Sequence, residues 1–126
     1  MKEPIISTDG AAEVAGTGFE IREWSHGPNP GPGIHVHRSD DEAWHVLEGT
    51  LRFRFADRTV DVGPGATVMA PAGVPHTFGN PGPGDVRYLI ITTPRIFAAI
   101  EAMHTEGLDA DALAEIHRNS DSEDLE

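Results

Sequence analysis

The sequence predicts an all-β protein, an antiparallel sandwich or barrel, followed by one or two C-terminal α-helices. Short stretches in which apolar and polar residues alternate recur along most of the chain, and this pattern is typical of half-buried strands. Turn-forming Pro, Gly and Asp residues separate the stretches, and no helical periodicity appears before residue 93. Short strands at regular spacing favour a sandwich or a barrel, and closure into a barrel protects the sheet edges.

The N-terminal arm, residues 1–18, is mostly small and polar and has room for at most one short edge strand. Residues 19–24 carry β-favouring side chains and alternate in their first half, which predicts a strand. The next eight residues, 26–33, are rich in Pro and Gly. They predict a loop with restricted motion, because proline fixes one backbone dihedral.

Two histidines follow this loop at strand spacing. His35 and His37 point to one face of an extended chain, because successive side chains alternate. Glu42 supplies a carboxylate after a polar turn, and His76 supplies a third imidazole farther along. Three neutral ring nitrogens and one carboxylate suit a divalent transition metal with open coordination positions. These residues therefore predict a metal site.

The remaining barrel segments repeat the strand pattern. Leu51, Phe53 and Phe55 fall on one face of residues 50–56, and two arginines fall on the other. This division predicts a half-buried strand. Further strands are predicted around Val60 and Val62, over residues 67–70 and over residues 86–92. The barrel domain therefore spans residues 19–92.

The pattern becomes helical after the barrel. Thr93 and Pro94 fit the N-cap and the first position of a helix, which we expect to continue until Gly107. A second helix is predicted to begin at Asp109. We expect both helices, within residues 93–118, to pack outside the barrel. The remaining eight residues, 119–126, are mostly acidic and polar, and we expect them to form a disordered tail.

Composition restricts the classes of partner. The chain of 126 residues carries 21 acidic and 9 basic residues, a net charge of -12. This charge repels nucleic acid phosphates and anionic membrane surfaces, so we expect neither as a partner. No apolar stretch reaches the length of a membrane span, and the first residues lack a secretory signal. We therefore expect a soluble cytoplasmic protein, in which the absence of cysteine excludes thiolate chemistry.

The spacing of glycine, histidine and glutamate forms a first motif. His35, His37, Glu42 and Gly49 fit the pattern His-x-His, three or four residues, Glu, six residues, Gly. The same pattern usually opens with a glycine six residues before the first histidine, where this chain has Asn29.

A second motif reads Gly, five residues, Pro-x-Gly, two residues, His, three residues, Asn. It is matched at every position, by Gly65, Pro71, Gly73, His76 and Asn80. With these two motifs the chain resembles the cupins, and specifically the small single-domain cupins, or monocupins, that look like one half of a quercetin dioxygenase. The resemblance covers about residues 19–92.

The resemblance implies a double-stranded β-helix, or jelly-roll barrel, with a metal ion inside. One divalent ion per chain, iron, manganese, nickel or zinc, would be held by His35, His37, Glu42 and His76. Asn80 would then be a turn former. The resemblance also implies a homodimer in which an N-terminal strand pairs with the partner barrel, and the apolar pair at residues 5–6, Ile5-Ile6, is the candidate segment.

The function implied by the resemblance is that of a metal-dependent dioxygenase acting on a small flavonol, catechol or diketone-like molecule. Glu42 would also accept a proton from the substrate hydroxyl. Two alternatives stay open, a non-redox metal-dependent cyclase, isomerase or lyase, and a barrel that binds a small molecule without turnover. Candidate cavity residues, most of them also suited to the core, are Trp44, Leu51, Phe53, Met69, Phe78, Tyr88 and Ile90.

Four histidines lie outside the predicted metal site. Strand alternation points His45 away from the face of Glu42, which disfavours it as a general base. His26, His104 and His117 fall in the predicted loop and helices. We expect these three to be structural or exposed.

Overall fold

The computed structural model describes residues 3–8, 10–105 and 107–126 of the chain. Within these ranges, strands alternate with short turns up to residue 92, and two helices precede a last strand. The strands are β1 (Glu13–Ala15), β2 (Glu20–His26), β3 (His35–His37), β4 (Glu42–Glu48), β5 (Leu51–Phe55), β6 (Thr59–Val62), β7 (Thr67–Ala70), β8 (His76–Gly79), β9 (Val86–Thr92) and β10 (Ser122–Asp124). The helices are α1 (Pro94–Met103) and α2 (Ala110–Asn119).

The strands form two antiparallel sheets of five strands each. The first sheet has the order β1-β2-β9-β4-β7, and the second has the order β10-β3-β8-β5-β6. Consecutive strands repeatedly cross between the sheets, as in a double-stranded β-helix. The predicted all-β jelly-roll architecture is therefore confirmed.

The core lies between the two sheets and follows the predicted alternation. Leu51 and Phe53 of β5 are fully buried, whereas Arg52 between them is exposed. The ring of Phe53 packs edge-on against Trp44 of β4, with 5.0 Å between ring centroids. Such aromatic pairs stabilise a core beyond the area that they bury.

Both helices begin where the sequence predicts. The Thr93 hydroxyl accepts a hydrogen bond from the Ile96 amide, and the Asp109 carboxylate accepts one from the Ala112 amide, so each residue caps its helix. Helix α1 ends at Met103, one turn before Gly107. No helix among the described residues is long and apolar enough to span a membrane.

The C-terminal tail contradicts the prediction of disorder. Residues 122–124 form β10, which pairs antiparallel with β3 so that Ser122 lies opposite His37 and Asp124 opposite His35. Backbone pairing needs no apolar side chain, and β10 covers an edge of β3 that would otherwise be open. The amide of Leu125 extends this pairing by donating to the carbonyl of Ile34 at 2.8 Å.

The N-terminal arm has its edge strand later than the apolar pair suggested. Residues 3–8 form no strand, and the Ile5 and Ile6 side chains are 63% and 78% exposed. The strand of the arm is β1, which pairs with β2 at the edge of the first sheet. Ile5 and Ile6 therefore do not supply the edge strand of this sheet.

The position of the missing motif glycine is compensated locally. The side-chain oxygen of Asn29 accepts a hydrogen bond of 3.0 Å from the Gly31 amide. Gly31 has φ of +74°, and a Cβ there would lie 1.9 Å from the carbonyl oxygen of Phe78. Glycine is thus required two residues after Asn29, where the loop approaches β8 closely.

Candidate metal centre

Four side chains from three strands meet inside the barrel. His35 and His37 lie on β3, Glu42 begins β4 and His76 begins β8. His35 and His76 are direct partners in the pairing of β3 with β8. Each of the four residues offers one ligand atom, and these atoms all lie within 4.8 Å of one another. The structure therefore brings together the four residues that the motif spacing selected.

Backbone carbonyl groups fix the tautomer of two of the three imidazoles. The Nδ1 atom of His35 lies 3.0 Å from the carbonyl oxygen of Gly33, and that of His76 lies 2.9 Å from the carbonyl oxygen of Val74. A carbonyl oxygen only accepts hydrogen bonds, so Nδ1 carries the proton in both rings. In the neutral ring, the lone pair on Nε2 is free to bind a metal.

His37 obtains the same tautomer from the C-terminal strand. Its Nδ1 atom lies 2.7 Å from the hydroxyl oxygen of Ser122, which in turn donates to the carbonyl of Ser120 at 3.1 Å. Because the Ser122 proton is used in that second bond, Nδ1 of His37 is the donor and Nε2 keeps its lone pair. Ser122 lies in the tail that was expected to be disordered, so nothing in the sequence indicated its contact with His37.

The charges at the site suit a cation. The Oε1 atom of Glu42 lies 3.1 Å from Nε2 of His37 and 3.3 Å from Nε2 of His76. Burial disfavours the charged carboxylate, but where these ring nitrogens carry a proton they donate to it and lower the pKa of Glu42 to about 2. Burial also lowers the pKa of His35, which favours its neutral form. Neutral nitrogen lone pairs facing a carboxylate repel it unless a cation lies between them, so this donor set fits a divalent metal ion.

A cavity of about 540 Å³ opens beside the candidate metal centre. Its walls include three of the four candidate metal-site residues and aromatic and aliphatic side chains from β2, β8, β9 and α1. No Lys or Arg is among the described residues that line it. The principal side chains of the wall are Trp24, His26, His35, His37, Glu42, Phe78, Tyr88, Ile100, Met103 and His104.

The seven apolar cavity candidates occupy three different environments. Phe78 and Tyr88 line the cavity. Met69 is 59% exposed on the outer face of β7, because alternation turns its neighbour Ala70 inward. The other candidates are fully buried in the core and do not line the cavity; they are Trp44, Leu51, Phe53 and Ile90.

The remaining histidines differ in their surroundings. His45 lies on the outer face of β4, where its Nδ1 atom is 2.7 Å from the Thr67 hydroxyl. His117, on α2, lies 3.6 Å from Asp124. His26 is the last residue of β2 and lines the cavity, although the sequence analysis placed it in the following loop. Extending the strand alternation by two residues beyond residue 24 would have placed His26 on the inner face.

Asn80 acts as a turn former, as predicted. Its side-chain amide donates to the carbonyl of Gly84 at 2.8 Å, and its side-chain oxygen accepts from the amide of Gly82 at 2.8 Å. These bonds close the loop between β8 and β9. The second motif therefore combines one metal-site residue, His76, with residues that shape the adjoining turns.

Comparison with known families gives one match that covers more than half of the chain. The family model described as "Cupin domain" matches residues 23–92. This range contains both motifs and all four residues of the metal centre. Among proteins with curated functions, none matches the chain.

Solved structures share the fold. The protein TT1209 from Thermus thermophilus is 25% identical, with a TM-score of 0.56 over 67% of this chain and 83% of that one. The polyketide cyclase RemF from Streptomyces resistomycificus is 30% identical, with a TM-score of 0.55 over 61% of this chain and 55% of RemF. A sugar phosphate isomerase from Silicibacter pomeroyi is 25% identical, with a TM-score of 0.54 over 60% of this chain and 50% of the isomerase.

Proposed function

The chain belongs to the cupin family, and on this premise we propose that it is a metal-dependent enzyme acting on a small, uncharged organic molecule with an ionisable hydroxyl group. One observation carries the proposal. Three of the four residues that would hold the metal, His35, His37 and Glu42, lie in the wall of a cavity that is otherwise largely aromatic and aliphatic. A substrate held by the apolar walls would thus reach the ligand atoms directly.

The cavity wall limits the class of substrate. Trp24, Phe78 and Tyr88 offer aromatic surfaces, and Ile100 and Met103 of α1 add aliphatic surface. A phosphorylated substrate would need cationic partners, but the described part of the wall has no Lys or Arg. The volume of about 540 Å³ lies within the usual range for small-molecule sites. A flavonol, a catechol or a diketone in its enol form meets these requirements.

The reaction that we propose is a dioxygenase-type oxygenation. When bound, a divalent metal ion would supply a Lewis acid for the substrate oxygen and, if it is iron, manganese or nickel, a centre that reacts with dioxygen. His35, His37 and His76 would hold it through Nε2, and Glu42 would hold it through a carboxylate oxygen. The apolar walls would exclude water from the reacting molecule. Glu42 would also be one candidate to accept the substrate proton.

A second candidate is a non-redox cyclisation or isomerisation with zinc as Lewis acid. The 30% identity to the polyketide cyclase RemF favours it. This chain spans only 55% of RemF, so a cyclase activity is only proposed for it. Dioxygen separates the two candidates, since only the oxygenase consumes it.

The test begins with elemental analysis of untagged protein purified without chelators or metal resin. We expect about one equivalent of a divalent transition metal per chain. Oxygen uptake is then measured with quercetin, 4-nitrocatechol and acetylacetone, and the products are compared with those of anaerobic incubations. Oxygen-dependent turnover supports the dioxygenase, and anaerobic turnover supports the cyclase or isomerase. A bound compound recovered unchanged from both incubations would contradict an enzymatic function. It would favour a barrel that binds a small molecule without turnover.

We further propose that the chain forms a homodimer. Ile5 and Ile6 are exposed in the arm, and Met69, which is 59% exposed, lies in one row across the first sheet with Ala43 and Ile91. Burying such apolar surface in a second copy is favourable. Light scattering of Ile6→Asp against the unchanged protein tests this, because a charge in an apolar interface weakens association. A monomeric unchanged protein would contradict the proposal.

A further inference from the structure

A hydrogen-bonded pair outside the metal ligands lines the same cavity. Tyr88 projects inward from the middle of β9, and His26 projects inward from the end of β2. The Tyr88 hydroxyl lies 2.9 Å from Nε2 of His26, and the two rings meet edge to face with 5.5 Å between centroids. Neither residue belongs to the cupin motifs, and neither is one of the four residues of the candidate metal centre.

The direction of this hydrogen bond follows from the second nitrogen of His26. Its Nδ1 atom lies 2.9 Å from the carbonyl oxygen of Gly27, which only accepts, so Nδ1 carries the proton. Nε2 of the neutral ring is therefore the acceptor, and the Tyr88 hydroxyl is the donor. The loop after β2 thus fixes the tautomer that leaves a basic nitrogen behind the phenol.

Tyr88 lines the cavity, and its hydroxyl oxygen has a remaining hydrogen-bonding capacity. Its proton goes to His26, and no other hydrogen bond to this oxygen is found among the described residues. A phenol oxygen can still accept a hydrogen bond from a further donor. A substrate hydroxyl in the cavity is such a donor.

Tyr88 is suited to pass a proton on and not to keep a negative charge. Burial first, and the nearby Glu42 carboxylate second, raise the pKa of Tyr88. A lasting phenolate is therefore disfavoured. Nε2 of His26, in contrast, has a lone pair that can take the proton.

We propose that Tyr88 and His26 form a proton relay that ionises the hydroxyl group of a phenolic or enolic substrate in the cavity. The substrate O–H bond breaks as its proton moves to the Tyr88 oxygen, while the Tyr88 proton moves to Nε2 of His26. The products are a substrate oxyanion and an imidazolium, so charge and protons balance. The reverse transfer returns the proton to the product. This inference rests on the proposed function and narrows its substrates to phenols and enols.

The relay is tested with 4-nitrophenol, whose absorbance reports its ionisation and whose single hydroxyl prevents chelation. Zinc-loaded unchanged protein is compared with Tyr88→Phe and His26→Gln at one fixed pH of about 6.5. We expect the ratio of ionised to neutral bound probe to fall about tenfold in both variants, the equivalent of one pKa unit. The matched control is His45→Gln, which removes a histidine hydrogen-bonded to a hydroxyl on the outer face.

Metal content and thermal unfolding are measured for each variant, because Tyr88 is buried. Tyr88→Phe removes only the hydroxyl, and His26 is half-buried at a strand end, so both variants retain their packing. An ionised fraction equal to that of the unchanged protein in either variant would overturn the relay. Failure of 4-nitrophenol to bind the unchanged protein would overturn the substrate class.

Turnover gives an independent measurement. For any phenol or enol that the metal-loaded protein converts, we expect kcat to fall about 100-fold in both variants, with little change in KM. If no compound is converted, the proposed enzymatic function fails, while the probe ionisation still decides for or against the relay. The two failures are therefore distinguishable.

Discussion

His76 and His37 both direct Nε2 of the imidazole at the carboxylate of Glu42, but different parts of the chain orient the two rings. The Nδ1 partner of His76 is the carbonyl of Val74, two residues earlier, whereas that of His37 is the hydroxyl of Ser122, 85 residues later. A ligand with a local partner obtains its orientation from its own turn. A ligand with a distant partner obtains it only when the fold is complete, so the two sides of the centre should respond differently to mutation.

Removal of a ligand should have the largest effect on metal affinity. His76→Ala deletes one of four donors at a position that is 2% exposed. We expect the affinity for zinc to fall by more than about 100-fold, beyond the loss typical of outer-shell changes, and turnover to be lost with the metal. Competition with a chromophoric chelator measures the affinity.

The control for His76→Ala is His45→Ala, which removes a histidine from the outer face of the barrel. Its affinity should equal that of the unchanged protein. Thermal unfolding without metal checks that His76→Ala remains folded. Metal retention and turnover by folded His76→Ala would contradict the assignment of the centre.

Removal of the distant partner should have an intermediate effect. Ser122→Ala leaves all four donors in place but removes the oxygen that accepts the Nδ1 proton of His37. We expect zinc affinity to fall about tenfold, as is typical when the hydrogen-bond partner of a ligating histidine is lost. Ser122→Thr retains a hydroxyl on a strand and should restore most of the affinity. Equal zinc affinities of the unchanged protein and Ser122→Ala would contradict the expected difference between His37, with its distant partner, and His76, with its local one.

The contrast also explains which parts of the centre could be predicted from the sequence. Glu42 and His76 were added by the spacing of the two cupin motifs, and His35 and His37 were identified as a pair because strand alternation is a local property of the chain. The strand over residues 67–70 was predicted with its observed bounds for the same reason.

The contacts that the sequence did not predict are tertiary ones. The polar composition of the tail indicated disorder, although backbone pairing of β10 with β3 needs no apolar residue. Likewise, nothing near His26 in the sequence indicates Tyr88, which reaches it only through the pairing of β2 with β9. Met69 was misassigned because its hydrophobicity was weighed more than its phase in a four-residue strand.

The smallest effect on metal affinity is expected for Asp40, which contacts distant residues but none of the candidate ligand side chains. Asp40, in the turn between β3 and β4, is buried and binds the Arg95 guanidinium and the Thr93 hydroxyl. Burial favours the neutral acid, but the hydrogen bonds from Arg95 and Thr93 outweigh it and lower the pKa of Asp40. Asp40→Asn keeps the shape of the side chain and removes its charge.

A carboxyl group with a lowered pKa in the folded state stabilises the fold at pH values above its unfolded pKa. This stabilisation is lost as the pH falls through the lower folded pKa, because both states are then protonated. We therefore expect Asp40→Asn to reduce the free energy of unfolding of the metal-free protein by about 1 to 2 kcal/mol at pH 7. The difference should shrink once the pH falls below about 4, the ordinary pKa of aspartate. Urea unfolding at several pH values measures this difference in the free energy of unfolding, and a difference that does not change with pH would contradict the charged role of Asp40.

The zinc affinity of Asp40→Asn should change less than that of Ser122→Ala, because Asp40 helps to hold the turn and Ser122 contacts His37 itself.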